Sequence, residues 1–76
     1  MFDRITFDPA VMGGRACIRG MRLTVALIVN LVANGMSTAD IIREYPEVEA
    51  EDIRQALQYA SALASEEIGL FKSPAA

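Results

Sequence analysis

Thr24-Val25-Ala26-Leu27-Ile28-Val29-Asn30-Leu31-Val32-Ala33-Asn34-Gly35 is the stretch that decides how this chain folds. Thr24 has the hydroxyl that caps a helix start by accepting from a free first-turn amide, and Gly35 suits the left-handed position that ends one. Between them only Asn30 is polar, so a helix over 25–33 is apolar nearly all round and demands burial on every side. A monomer of 76 residues has little interior to offer. One face of this helix, carried by Val25, Ile28, Val29 and Val32, is therefore expected to form a dimer interface or to pack on the hairpin of a second subunit.

Upstream, Asp3-Arg4-Ile5-Thr6-Phe7 sets Ile5 and Phe7 on one face and Arg4 and Thr6 on the other, the period-two pattern of a half-buried strand. Asp8-Pro9 breaks it. Gly13-Gly14 supplies a turn, Ala16-Cys17-Ile18 forms a second short strand, and Arg19-Gly20 turns the chain again before Met21-Arg22-Leu23. The result is a small β-hairpin edged with arginine.

Downstream, Ser37-Thr38-Ala39-Asp40 reads as a capping box that starts a two-turn helix with Ile41, Ile42 and Tyr45 on its apolar face. Pro46 stops it, because the residue before a proline is pushed out of the helical region. A third helix begins near Glu49 or Ala50, with Glu51 and Asp52 complementing the positive end of the helix dipole. Ile53, Ala56, Leu57, Ala60, Leu63 and Ala64 recur at helical spacing to about Glu67, where Gly69 is expected to break the helix. Residues 1–70 thus form one domain, mainly α, with an N-terminal β-hairpin and a tri-helical helix-turn-helix. Residues 71–76 are expected to be a flexible tail.

Composition narrows the function. Cys17 is the single cysteine, so no disulfide forms within the chain, and with no histidine it cannot complete a structural zinc shell. Small domains commonly lean on disulfides, metals or oligomerisation. Self-association is what remains. The hydrophobic share of 53% against 22% charged points the same way, and no apolar run or basic leader marks a membrane or secretory segment, so a cytoplasmic chain is expected. The net charge of −3 is unevenly spread: residues 1–22 hold four arginines against two aspartates (+2), and the rest hold three basic against eight acidic residues (−5).

The basic ribbon is the candidate for anionic partners, with Arg15, Arg19 and Arg22 in turns that can approach a phosphate backbone. Equally open is that these arginines pair with the acidic helices. If the third helix reads DNA, its positions Arg54, Gln55 and Gln58 carry the side chains that bond base edges or phosphates. Glu47, Glu49, Glu51 and Asp52 at its N-terminal end oppose that reading through repulsion by phosphate. Catalysis finds no support: Gly13 to Gly20 lacks the Lys-Ser/Thr of a phosphate-binding loop, and Cys17 has no base partner. No catalytic residue, metal or cofactor is implied.

Taken in order, Ile5, Asp8-Pro9, Gly13-Gly14-Arg15, Cys17-Ile18-Arg19-Gly20, Arg22, Val25, Gly35, Ile41, Tyr45-Pro46, Asp52-Ile53, Ala56-Leu57 and Tyr59-Ala60 resemble the domain of unknown function 433. Ala16, Met21 and Glu49 depart from that pattern, where proline, threonine and a serine or threonine cap are more usual. The resemblance implies a homeodomain-like helix-turn-helix and an antitoxin-like homodimer that binds operator DNA and neutralises a PIN-like ribonuclease toxin. On that reading the C-terminal Ile68, Leu70 and Phe71 cover the toxin. The alternative is a protein-interaction module that binds no nucleic acid.

Overall fold

A computed structural model of the chain describes the backbone of residues 2–75 and the side chains of residues 2–65. In chain order it holds β1 (Ile5–Thr6), a short 3₁₀ turn (Met12–Gly14), β2 (Cys17–Ile18), α1 (Val25–Ala33), α2 (Thr38–Glu44) and α3 (Ala50–Ala75). The strands pair antiparallel, Ile5 opposite Ile18 and Thr6 opposite Cys17. Arg19 (φ 46°) and Gly20 (φ 73°) are both left-handed, and the Met21 amide donates to the Ile18 carbonyl at 2.8 Å. Positive φ at both central residues is the primed turn whose twist suits a hairpin. The chain then runs back along β2, with Ile18 N–H on the Leu23 carbonyl (2.9 Å) and Val25 N–H on that of Ala16 (2.9 Å), and so delivers Thr24 to the start of α1.

The strand pattern expected over residues 3–7 holds for only two residues. Ile5 enters the core, whereas Phe7 stays 56% exposed instead of sharing its face. The reason is the early break at Asp8-Pro9: with no ladder beyond Thr6, nothing enforces period-two alternation at Phe7.

Helix α1 keeps the bounds its caps dictate. The Thr24 hydroxyl accepts from the Leu27 amide at 3.0 Å, and Gly35 takes φ 93° just past the helix. Its burial differs from expectation. Val25 and Ile28, expected at a subunit interface, are 5% and 0% exposed within their own chain, packed with Ile5, Ile18, Leu23, Ile41, Val48, Ile53 and Ala56. The ribbon supplies Ile5, Ile18 and Leu23 to this core, and that contribution is what covers the inner face of α1. Val29 and Val32 are half-buried against the core, and Ala26, Asn30 and Ala33 are exposed.

The Ser37–Asp40 capping box closes as the sequence implies, Asp40 N–H donating to Ser37 Oγ (3.1 Å) and Ser37 N–H to Asp40 Oδ2 (3.4 Å). After the Tyr45-Pro46 stop, Val48 and Ile53 are both buried, one just before and one just inside α3, the spacing of a hydrophobic staple that fixes how the chain enters the helix. The bounds of α3 pass Glu67 and Gly69. A lone glycine costs a helix only about 1 kcal/mol and does not by itself end one. Ile68, Leu70, Phe71 and the 71–76 tail lie outside the described side chains.

Ile28 sits at the centre of this core, so Ile28→Ala is expected to lower unfolding free energy by about 2–5 kcal/mol. Urea denaturation followed by circular dichroism measures it, with a shifted midpoint at unchanged slope as the expected result.

Candidate functional site

The N-terminal turn of α3 is held against the ribbon by one carboxylate. Asp52 is fully buried, and its Oδ1 accepts from Arg4 Nη1 (3.0 Å) and Arg19 Nε (3.0 Å). Oδ2 accepts from Arg19 Nη2 (2.8 Å) and from the Glu49 amide (2.8 Å). The last bond caps the helix start, so Asp52 serves at once as cap and as counter-ion for two arginines from the ribbon. Arg19 Nη2 also donates to the Glu47 carbonyl (2.7 Å), and Arg4 Nη1 to Glu49 Oε1 (2.6 Å). Burial alone pushes the Asp52 carboxyl up, but the hydrogen bonds from Arg19, the Glu49 amide and Arg4 outweigh it, and the pKa lies below the ordinary value.

Gln55, one turn further along α3, is also buried and not at the helix surface where a reading role would place it. Its Oε1 accepts from the Arg4 amide (3.1 Å), and its Nε2 donates to Asp3 Oδ1 (2.7 Å) and Glu51 Oε2 (3.1 Å). Its amide is thus engaged at both ends within its own chain. Arg54 is exposed but folded onto its own helix, with Nε on Glu51 Oε1 (2.8 Å) and Nη1 on Gln58 Oε1 (3.1 Å). The Arg54 guanidinium, then Gln55, draw the Glu51 carboxyl down to about 2.

The arginines of the ribbon therefore divide. Arg19 pairs with the acidic start of α3, one of the two readings the sequence left open. Arg15 and Arg22 are exposed, and no ion pair involves either of them among the described residues. Cys17 is a buried free thiol. Among the described residues no cluster of three potential metal ligands exists, and no helix is long and apolar enough to cross a membrane.

An open apolar groove of about 590 Å³ lies between α1, α3 and the ribbon. Ala26, Val29 and Ala33 form one wall, Tyr59, Ala60 and Leu63 the other, Phe7 closes one side, and Arg15 is the charged residue among its lining. Tyr59 positions Phe7 by a tilted ring contact with centroids 5.9 Å apart, and is itself braced edge-to-face by Phe2 at 5.5 Å. Among the described residues, Phe7 (56%) and Leu63 (54%) are the large apolar side chains left exposed, and both border the groove. Of the residues expected at an interface, Val25 and Val29 line it, whereas Ile28 lies beneath the surface in the core. Sequence reasoning placed Phe7 on a strand face, Leu63 on the apolar stripe of the third helix and Tyr59 among the residues that carry the family resemblance, and gave none of them a place in a site. The excess apolar character of residues 25–33 was the one signal available.

A family model described as "Protein of unknown function (DUF433)" matches residues 5–60. An uncharacterized protein, y4eO, of Sinorhizobium fredii (strain NBRC 101917 / NGR234) is 36% identical over 58 residues, covering 76% of this chain and 26% of that protein. The chain thus spans about a quarter of the relative's length. No solved structure matches.

The buried carboxylate makes a pH prediction. With a folded pKa below the unfolded one, Asp52 contributes its full stability above the unfolded value of about 3.9 and loses it as pH falls through the folded value. Asp52→Asn is expected to cost roughly 2 kcal/mol at pH 7, less than a wholly buried pair because Arg4 and Arg19 are partly hydrated. Denaturation curves at pH 7 and below pH 3 check this: the gap between variant and parent should close at the lower pH.

Proposed function

The chain belongs to the DUF433 family of unknown function, and from that premise we propose that it is a non-catalytic regulator that grips a partner polypeptide in its apolar groove, as an antitoxin grips a PIN-like ribonuclease toxin. The groove carries this reading. It is an open trough flanked by exposed Phe7 and Leu63, the form suited to an amphipathic helix laid into a hydrophobic cleft. The antitoxin role extends the family resemblance, and the toxin is the partner class it implies.

DNA contact is a second activity, supported by the exposed pair Arg15 and Arg22 on the ribbon. Reading by α3 is disfavoured, since Gln55 is buried, Arg54 is engaged by Glu51, and Glu47 and Glu49 are exposed at the end of the helix that would enter the groove of a duplex. Affinity for DNA on this account is backbone-directed and steep in salt. In a titration of the chain's own upstream region, replacing Arg15 and Arg22 by alanine is expected to lower the salt slope by about 2. An unaltered slope contradicts the ribbon contact.

Ala26→Glu tests the groove with little risk to the fold. Ala26 is exposed in the first turn of α1, where a carboxylate favours the helix dipole, yet it places charge in the apolar wall. Co-expression with the product of the neighbouring reading frame, on this reading a PIN-like ribonuclease that arrests growth, is expected to rescue growth with the parent chain and fail with Ala26→Glu, while the thermal midpoint of the variant is unchanged or higher. Rescue by the variant equal to the parent's overturns the groove as the gripping surface.

A further inference from the structure

The face that α1 turns to the groove has the spacing of a seat for another helix. Ala26, Val29, Asn30 and Ala33 line it at positions i, i+3, i+4 and i+7, a stripe of two turns that is about 10 Å long at about 1.5 Å per residue. Alanine at both ends of the stripe lets a second backbone come close, and Ala60 does the same on the α3 wall. Polarity in the lining is one-sided. Among the described residues no carboxylate lines the groove, and its exposed polar side chains, Arg15 and Asn30, both have N–H groups to donate. Asn30 Oδ1 accepts from Asn34 Nδ2 at 3.1 Å, which leaves the Asn30 Nδ2 for a neighbour. The ribbon also fixes which end is positive: the Ala16 carbonyl accepts from the Val25 amide at 2.9 Å, so Arg15 stands beside the first turn of α1, where the helix dipole is positive as well. Arg4, Arg19, Arg43 and Arg54 each meet a carboxylate of their own chain, and Arg15 meets none among the described residues.

We infer that the segment of the partner polypeptide held in this groove is an amphipathic helix with an acidic last turn, lying antiparallel to α1 so that its carboxylates meet Arg15. Its apolar face spans two turns, the length of the stripe it covers, and its large side chains fill the spaces left by Ala26, Ala33 and Ala60. The antiparallel direction sets the negative end of the bound helix against Arg15 and the positive end of α1, and its own positive end against the last turn of α1. A segment that is basic at that end meets like charge in an apolar setting, where repulsion is weakly screened. The chain's net charge of −3 repels an acidic partner at long range, so the choice is made on contact by one guanidinium and not by steering from afar. This rests on the groove being the docking surface, and adds the chemistry and the direction of what docks there.

Titration of the isotope-labelled full chain with synthetic helices tests it. The probes carry leucines along one face over two turns, alanine and glutamine elsewhere, and either glutamates or lysines in the last turn. The glutamate probe is expected to bind about tenfold tighter than its lysine twin, and Arg15→Glu to reverse that order, a reversal that misfolding would not produce. Ala26→Glu should weaken both. A spin label on the C-terminus of the glutamate probe should broaden the Gly14 and Ala16 amide signals, and one on its N-terminus those of Ala33 and Asn34. Equal affinity of the two probes, an order that survives Arg15→Glu, the opposite pattern of broadening, or no binding of either probe at millimolar concentration each overturns the inference. A parent chain that rescues growth in co-expression yet fails this titration keeps its gripping role and loses the inference, whereas failed rescue beside intact selectivity for the glutamate probe does the reverse.

Discussion

Everything in this fold hangs on a carboxylate with no access to water. Asp52 joins Arg4 and Arg19, 48 and 33 residues away in sequence, to the first turn of α3, and a buried charge of this kind persists only while its partners are in place. Arg19 pays a conformational penalty to reach it. Its left-handed backbone costs an ordinary residue roughly 1–2 kcal/mol, and the two-pronged bond to Asp52, together with its amide on the Arg4 carbonyl at 2.8 Å, holds it there. Once the ribbon is pinned to α3, Ile5, Ile18 and Leu23 are carried over the inner face of α1, and Phe7 comes to rest on Tyr59 as a wall of the groove. The surface proposed to bind polypeptides is thus a by-product of the ion pair that closes the fold.

The same tether redistributes the charge that the sequence presents as a basic patch. Of the four arginines in the first 22 residues, Arg4 and Arg19 are consumed inside the molecule, and Arg15 and Arg22 remain outward. Gln55 is likewise spent on Arg4 and Asp3. Residues that look like a nucleic-acid footprint when counted along the chain become structural once their partners are seen. A binding role therefore shifts from the acidic start of α3 to the apolar trough beside α1, with Arg15 at its edge.

Local signals were legible and long-range ones were not. The bounds of α1 and α2 follow from Thr24, the Ser37–Asp40 box and Pro46, all of which act within one turn of themselves. Asp52 stands in the first turn of the helix and does cap it, and pairing of the ribbon arginines with the acidic helices was one open reading, but which arginine meets which carboxylate depends on contacts across 33 and 48 residues that no local signal marks. That Val25 and Ile28 are covered by their own chain and not by a second subunit was missed for a related reason: the ribbon's share of the core becomes visible only when its register is known. The groove is assembled from three segments, residues 7–16, 24–33 and 59–63, and only the surplus of apolar residues in the middle one announced it.

Isotope-filtered nuclear Overhauser spectroscopy on a mixture of labelled and unlabelled chains reaches the central claim most directly, because it asks what touches the Val29 and Leu63 methyl groups and the Phe7 ring in solution. Cross-peaks from those groups to protons of another polypeptide are the predicted result. Methyl groups that contact only solvent and their own chain, both alone at millimolar concentration and in the presence of the neighbouring gene's product, would contradict it.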